Sequence, residues 1–291
     1  MRLLTGFYDF QVSPASYDYS NFLAGLNAVA KGEGYDHVHV VFVPADNETG
    51  FRIDAKPTST ANKVWRRDNL LVPMCRLIGA THTVAHSRDH AVSLMAGDVY
   101  PHEWMPDEQK NAYWFAKIRR LIEHYGLAPF QVDEQAKQFV RSWLPADYVT
   151  ITIRETYNPL CNSNQSEWRQ LAFWLRSQGE QVVWVPDTEH AGDAGTQPIG
   201  AIAATNVLVR HALYGGAKMN LGVGGGTQCL CWFGGLPFIS FKMLSGNYNG
   251  TPAWFDRLGL SVGNKLPWAT DKQRLVWDGA DTFENITENY L

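Results

Sequence analysis

The sequence predicts two successive α/β domains built on parallel strands. A strand, a helix and a strand follow one another within roughly 40 residues at 2–10, 21–31 and 37–44, the order of a βαβ unit with parallel pairing. The order restarts after Pro145-Ala146-Asp147, where YVTITI and QVVWVP are further β-branched strands. We therefore predict a domain boundary between residues 145 and 146.

The composition limits the possible functions. The chain has 291 residues, 45% of them hydrophobic and 19% charged, as in a well-packed globular protein. A net charge of −4 argues against a nucleic-acid partner. Asp9 interrupts the first apolar stretch before it reaches the length of a signal peptide, and no apolar run reaches the roughly 18 residues of a membrane span. The four cysteines form no Cys-x-x-Cys pair. We expect a cytoplasmic protein without a transmembrane segment.

The first domain offers acids and a cation in loops that follow its strands. Asp9 and Asp18 flank the loop between the first strand and the first helix, and either could act as a base. Asp18 could instead only cap that helix. Arg52 lies in the long loop 47–61 after the second strand, where it could bind an anionic acceptor or a phosphate.

Three histidines raise a metal alternative. His82, His86 and His90 are spaced by four and would share one face of a continuous helix, as zinc ligands do. Residues 80–85 have the pattern of a strand, however, and Ser87 has the character of a helix cap that breaks the register. We therefore predict no metal site.

The second domain brings three strand ends together. The strand 148–153 ends in Arg154-Glu155, and the strand 181–186 is followed by Asp187 and Glu189. A third strand, 219–223, ends in a glycine turn of residues 224–227. Because ligands of parallel α/β sheets bind beyond the carboxyl ends of strands, we expect these ends to share one cleft.

The glycine turn has the character of an anion site. Glycines let the backbone approach a ligand, and the short helix that follows presents unpaired N–H groups. The planar guanidinium of Arg154 is suited to phosphate oxygens, although it could instead form an ion pair with its neighbour Glu155. Asp187 could bind sugar hydroxyls or only cap the next segment.

Two helix caps are predicted in this half. Asn164-Gln165-Ser166-Glu167 has the form of a capping box at the start of a helix over 166–177. Asp281-Thr282-Phe283-Glu284 has the form of a cap for the C-terminal helix. A single helix is predicted over 201–217.

The second half resembles the donor-binding domain of GT-B glycosyltransferases, in particular the heptosyltransferase-like and fucosyltransferase-like groups. The shared features are a strand ending in Arg-Glu, a strand ending in Asp, the sequence Ala-Leu-Tyr-Gly-Gly-Ala at 212–217 and the glycine turn. The resemblance covers about residues 146–245, and the N-terminal half more weakly. It implies two Rossmann-like domains that face a central cleft, with the acceptor bound by residues 1–145 and the donor by residues 146–291.

This sequence departs from the heptosyltransferase pattern in the turn. That group carries an acidic or polar residue, a Ser or Thr, a Gly and, a few residues later, a His. Here the turn is Gly224-Gly225-Gly226-Thr227, followed by Gln228 and Cys229. The diphosphate-binding glycines are kept, and the donor sugar is left open.

The predicted function is therefore the transfer of a sugar from a nucleoside-diphosphate donor to a hydroxyl of a carbohydrate or glycolipid, in bacterial-type surface glycan synthesis. The nucleotide sugar is a co-substrate, and no cofactor or metal is implied. Asp18, Asp9 and Arg154 are the catalytic candidates, Arg52 is the acceptor candidate, and the donor candidates are Arg154, Glu155, Asn162, Asp187, Glu189, Gly224, Gly225, Gly226, Thr227 and Gln228.

Two alternatives remain open at the level of sequence. A nucleotide-sugar epimerase or hydrolase could have the same two-domain shape. A degenerate chain could bind a sugar nucleotide or a partner protein without catalysis.

Overall fold

The computed structural model describes residues 2–54, 58–102, 104–106, 113–156, 158–193, 196–246 and 250–291. Residue contacts divide the chain into two compact units, Met1–Gln131 and Val132–Leu291. The predicted boundary lay further along, after residue 145. The difference is the helix Glu134–Trp143, whose buried Ala136 and Val140 belong to the core of the second unit.

The first unit is built on four parallel strands in the order β3-β2-β1-β4. Within β1 and β2, Leu3 pairs with His37 and Asp9 with Val43, so the carboxyl ends of both central strands lie at the same edge. The predicted parallel strand–helix–strand unit is confirmed. The strands are β1 (Leu3–Asp9), β2 (His37–Val43), β3 (Thr81–Val84) and β4 (Asp98–Tyr100).

Helices and short helical turns connect the strands of the first unit. An aromatic core of Tyr8, Tyr19, Phe22 and Phe42 fixes the first helix on the sheet. A π-helical turn (Arg67–Leu71) and a 3-10 turn (Cys75–Ile78) flank the third helix. The helices are α1 (Tyr19–Gly32), α2 (Thr60–Arg66), α3 (Val72–Met74), α4 (Arg88–Ser93) and α5 (Phe115–Tyr125).

The second unit contains a five-stranded parallel sheet in the order β6-β5-β7-β8-β9. The chain passes from β5 outward to β6 and then returns to β7 on the other side of β5, so the strand order reverses between β5 and β7. Ligands of open parallel sheets bind at such a reversal. The strands are β5 (Tyr148–Thr152), β6 (Gln181–Val185), β7 (Met219–Val223), β8 (Phe238–Phe241) and β9 (Gln273–Leu275).

Helices cover both faces of this sheet. One core joins the sheet to α7 and α12 through Trp168, Leu171 and Ile286, and another joins it to α6, α8 and α9. The predicted helix 201–217 is two helices, because Asn206 leaves the helical conformation and its Oδ1 accepts from the backbone N–H of Leu208 and Val209. The helices are α6 (Glu134–Trp143), α7 (Gln165–Ser177), α8 (Pro198–Thr205), α9 (Val207–Gly216), α10 (Cys229–Gly234), α11 (Pro252–Leu258) and α12 (Phe283–Tyr290).

Candidate anion-binding site

The glycine turn after β7 lies against Arg154, which follows β5. The Arg154 Nη1 donates a hydrogen bond to the carbonyl oxygen of Gly224. A Cβ added to Gly225 would lie 3.2 Å from the Arg154 Cδ. Gly225 has an extended backbone (φ −174°), which any residue can adopt, so its glycine is needed for space rather than for conformation.

The turn leaves a row of backbone donors unused. In the described part of the chain, the backbone N–H groups of Gly225, Gly226 and Thr227 donate no hydrogen bond, and the Thr227 hydroxyl has no partner. A 3-10 turn (Gly226–Gln228) then leads into α10. N–H groups at the start of a helical segment are satisfied by water or by an anion.

The guanidinium of Arg154 has no carboxylate partner among the residues that the structure describes. The predicted alternative, an ion pair with Glu155, is not formed: the Glu155 Oε1 accepts from Gln165 Nε2 at 2.7 Å instead. A half-buried cation without a counterion is unfavourable in isolation. Together with the unused N–H groups, this favours a bound anion.

The loop after Arg154 is held by its own hydrogen bonds. The Arg154 N–H donates to Ser163 Oγ at 2.9 Å, and the Ser163 N–H donates to the Arg154 carbonyl at 2.9 Å. The Asn162 Oδ1 accepts from the Thr156 N–H at 2.6 Å, and its Nδ2 donates to the Thr156 carbonyl at 2.9 Å. Asn162, which was predicted to bind the nucleotide-sugar donor, thus stabilises the loop that positions Arg154.

The acids after β5 and β6 are joined to each other. The Asp187 Oδ2 accepts from the Glu155 N–H at 3.3 Å, and its Oδ1 accepts from the Glu189 N–H at 3.4 Å, which caps the 3-10 turn Thr188–His190. Asp187 therefore has the capping role that was predicted as the alternative to binding sugar hydroxyls. The exposed Glu189 side chain has no partner in the described residues, so it remains open to ligand hydroxyls.

His190 belongs to this group and was not predicted from the sequence. Its Nδ1 lies 3.0 Å from Asp193 Oδ2, and its Nε2 lies 3.7 Å from Glu155 Oε1. The hydrogen bond to Asp193 and the charge of Glu155 raise the pKa of His190. No local motif marks this residue, since its place follows only from the strand order.

Gln228, one of the predicted donor-binding residues, has its side chain packed inside the protein. Its side chain is buried, and its Oε1 accepts from Ser240 Oγ on β8 at 3.3 Å. A Cβ added to Gly222 on β7 would lie 2.6 Å from Gln228 Nε2. The side chain therefore packs against the sheet beneath the glycine turn.

In the first unit, Asp9 is held in a buried ion pair. Both carboxylate oxygens accept from Arg88, at 2.9 and 2.8 Å, and Oδ2 lies 3.4 Å from Trp104 Nε1. The residue is 1% exposed. A carboxylate in this environment is poorly placed to accept a proton from a substrate.

Asp18, the other candidate base, is not a helix cap. Its side chain makes no capping bond to α1, and its Oδ2 accepts from Ser16 Oγ at 2.8 Å. The side chain reaches solvent, and the protein around it still desolvates the carboxylate enough to raise its pKa. The hydrogen bond from Ser16 and the charge of Arg52 oppose that rise.

Arg52 is held by three groups. Its Nε donates to Asp54 Oδ1 at 2.7 Å, and its Nη1 donates to the Val12 carbonyl and to Tyr113 Oη, both at 2.9 Å. Tyr113 was not predicted from the sequence. Within the described residues Nη2 donates no hydrogen bond, so one edge of the guanidinium stays open to an anionic group.

The three histidines are not arranged as metal ligands. His82 lies on β3, and Ser87 caps α4 by accepting from the His90 N–H at 3.0 Å, so the predicted break in register is confirmed. His86 and His90 stack at 4.0 Å, and the His86 N–H lies 3.3 Å from His90 Nδ1. Among the described residues, no three His, Cys, Asp or Glu side chains gather as a metal-binding group.

No protein-family model and no curated protein matches the sequence. The chain is similar in structure to Escherichia coli ADP-heptose lps heptosyltransferase II, with a TM-score of 0.57, 13% identity, and coverage of 100% of this chain and 97% of that one. The GT-B fold is therefore confirmed. At this identity the likeness shows the fold alone.

Two further structures are similar at a lower TM-score of 0.47. One is the glycosyl transferase family 9 protein of Veillonella parvula, with 10% identity and coverage of 99% of this chain and 89% of that one. The other is E. coli heptosyltransferase WaaC with ADP, with 14% identity and coverage of 100% and 98%. No helix in the described residues is long and apolar enough to cross a membrane.

Proposed function

We propose that the protein is a glycosyltransferase that moves a sugar from a nucleoside-diphosphate donor to a hydroxyl acceptor, in the synthesis of a surface glycan. The second unit, Val132–Leu291, would bind the donor, and the first unit, Met1–Gln131, the acceptor. The GT-B fold that the chain shares with a heptosyltransferase supports this assignment.

One observation carries the proposal. At the reversal of strand order between β5 and β7, the Arg154 guanidinium has no carboxylate partner in the described residues, and the N–H groups of Gly225, Gly226 and Thr227 are unused beside it. Cleavage of the sugar–phosphate bond places negative charge on the departing diphosphate. A cation and fixed N–H donors stabilise that charge in the transition state, and a bidentate guanidinium is suited to two phosphate oxygens.

The acceptor reaction needs a base, and Asp18 is the candidate whose carboxylate is more accessible. The acceptor hydroxyl gives its proton to the Asp18 carboxylate while its oxygen bonds to the anomeric carbon, and the bond from that carbon to the diphosphate oxygen breaks. Arg88 occupies both carboxylate oxygens of Asp9, whereas Asp18 reaches solvent. Arg52 would hold an anionic group of the acceptor through its open Nη2.

A thermal-shift screen with millimolar ADP, UDP, GDP and CDP tests the donor site, since a ligand that binds only the native state raises the Tm. We expect at least one diphosphate to raise the Tm of the wild type, and the Arg154→Met variant to lose most of that shift. The Arg169→Met variant is the matched control, because Arg169 is an exposed arginine of α7 in the same unit. A wild type that none of the four stabilises would contradict the proposal.

Turnover distinguishes the remaining alternatives. Incubation of the nucleotide sugar that carries the best-binding base, with and without a panel of sugar acceptors, should release diphosphate mainly when an acceptor is present. Release that is equal without acceptor would identify a hydrolase, and an altered donor sugar an epimerase. Binding without any turnover would identify a protein that only holds the nucleotide.

A further inference from the structure

Lys242, the residue after β8, has an unusual backbone. Its φ of 53° is in the left-handed region, and among the described non-glycine residues only Asp147 also has a positive φ. This conformation costs a residue with a Cβ free energy and persists where the surroundings hold it in place. In the sheet β8 neighbours β7, so Lys242 follows the carboxyl end of the strand next to the glycine turn.

The side chain of Lys242 joins two segments distant in sequence. Its Nζ donates to the carbonyl of Asn162 at 2.7 Å and lies 3.4 Å from Asp281 Oδ1. Asp281 is 1% exposed, and its Oδ2 accepts from the Asn164 N–H and from Trp168 Nε1, both at 2.7 Å. The buried Asp281 carboxylate therefore fixes the position of the Lys242 ammonium group.

These contacts lead to Arg154. Asn162, which Lys242 holds by its carbonyl, bonds to Thr156 on the other side of the loop, and the next residue, Ser163, exchanges two hydrogen bonds with Arg154. On the other side, a Cβ added to Gly224 would lie 2.8 Å from Met243 Sδ, so the residue after Lys242 packs against the glycine turn. Lys242 thus links both halves of the candidate anion site.

We infer that Lys242 is a positioning residue for the donor site: through its clamp on Asn162 and Asp281, it sets the place of the Arg154 guanidinium beside the glycine turn. The inference rests on the proposed function, because the ligand concerned is the nucleoside diphosphate. Lys242 acts through Arg154 and need not touch the ligand itself.

Two variants test this role. Lys242→Met removes the ammonium group. Lys242→Gly removes it as well, and because glycine adopts a positive φ without steric cost, this variant should keep the turn even if Lys242→Met does not fold. Lys218→Met is the matched control: it breaks a lysine–acid contact, of Lys218 Nζ with Glu180 Oε1 at 2.5 Å, at the opposite end of β7 in the same unit.

Isothermal titration with ADP, UDP, GDP and CDP, well below the Tm of each variant, gives the first measurement. We expect both Lys242 variants to bind the diphosphate at least tenfold more weakly, and Lys218→Met to bind it as the wild type does. Wild-type affinity in Lys242→Gly would overturn the positioning role alone. A wild type that binds none of the four diphosphates would overturn the proposed function, and the positioning role with it.

Amide hydrogen exchange provides a readout that does not depend on a ligand. In Lys242→Gly the N–H groups of Thr156 and Ser163 should exchange faster, because their loop has lost its clamp, while those of β6 keep their protection. Unchanged exchange at Thr156 and Ser163 would also overturn the inference.

Discussion

Arg88 binds both carboxylate oxygens of Asp9, at 2.9 and 2.8 Å, across a separation of 79 residues in the chain. The pair joins the end of β1 to the start of α4. It gives the two acids of the first strand–helix loop different environments, since Asp9 is buried and paired whereas Asp18 reaches solvent. Removing Asp9 should therefore have a different effect from removing Asp18.

Asp18→Asn should lower kcat by about 10²- to 10⁴-fold, the range of a lost general base, and leave diphosphate affinity unchanged. The same change should not destabilise the protein near neutral pH. A carboxyl group whose pKa is raised by folding binds its proton more tightly in the native state, so its contribution to stability is lost as the pH rises through the folded pKa. Activity assays and thermal melts measure both effects.

Asp9→Asn is the contrasting variant. It removes the charge that the buried Asp9 carboxylate presents to the half-buried Arg88 guanidinium, and breaking a buried ion pair costs about 3–5 kcal/mol. We expect a clear fall in the urea midpoint with diphosphate binding retained in the folded fraction. If Asp9→Asn kept full stability and lost activity as Asp18→Asn does, the two roles would have to be exchanged.

The acid side of the pH–rate profile should follow Asp18. A base must be deprotonated to act, so kcat/KM should rise with pH through the pKa of Asp18. Because desolvation raises that pKa, the rise should lie above the usual range of an aspartic acid. The Arg52→Met variant, which removes a charge that lowers this pKa, should move the rise to still higher pH, and a shift to lower pH would contradict the assignment.

Gly225→Val tests the space at the glycine turn. A Cβ there would lie 3.2 Å from Arg154 Cδ, closer than ordinary packing, so the larger side chain displaces the guanidinium. We expect diphosphate affinity to fall at least tenfold. Gly192→Val is the control, since a Cβ at Gly192 meets nothing within 4 Å, and equal affinities of the two variants would remove the turn from the site.

His211 of α9 should make the second unit sensitive to acid. It is fully buried, and burial lowers its pKa to about 4. Since an unfolded histidine titrates near 6.5, the unfolded chain takes up the proton first as the pH falls. The free energy of unfolding should thus decrease between about pH 6.5 and 4 by on the order of 3 kcal/mol.

Urea titrations across that range measure the effect. The His211→Gln variant lacks the titrating group and should show a flatter pH dependence than the wild type. An equally steep decrease in the variant would assign the effect to other groups.

The strands of the second unit, and the residues directly after them, could be predicted from the sequence. Each strand of β5, β6 and β7 is a short apolar run, and parallel pairing places the residues after such runs at one edge of the sheet. Arg154 and the glycine turn were found in this way. Contacts between side chains far apart in sequence were not, because no local pattern encodes them.

Asp281 illustrates this limit. The sequence predicted it as part of a cap for the last helix, but the cap of α12 is Thr282, whose side chain accepts from the Asn285 N–H. Asp281 instead bonds to Trp168, 113 residues away, and pairs with Lys242. The predicted capping box at Asn164 is also wrong: its side chain makes no capping bond, and the Glu167 Oε2 accepts from the Phe283 N–H.

Arg154, which has no carboxylate partner among the described residues, has a consequence for the catalytic cycle of the proposed enzyme. A free diphosphate carries more negative charge than the sugar diphosphate from which it came, so the spent nucleotide complements the guanidinium better than the substrate does. Release of the spent nucleotide would then be slow. Salt would speed that release by screening the attraction, and accumulated diphosphate would inhibit the enzyme.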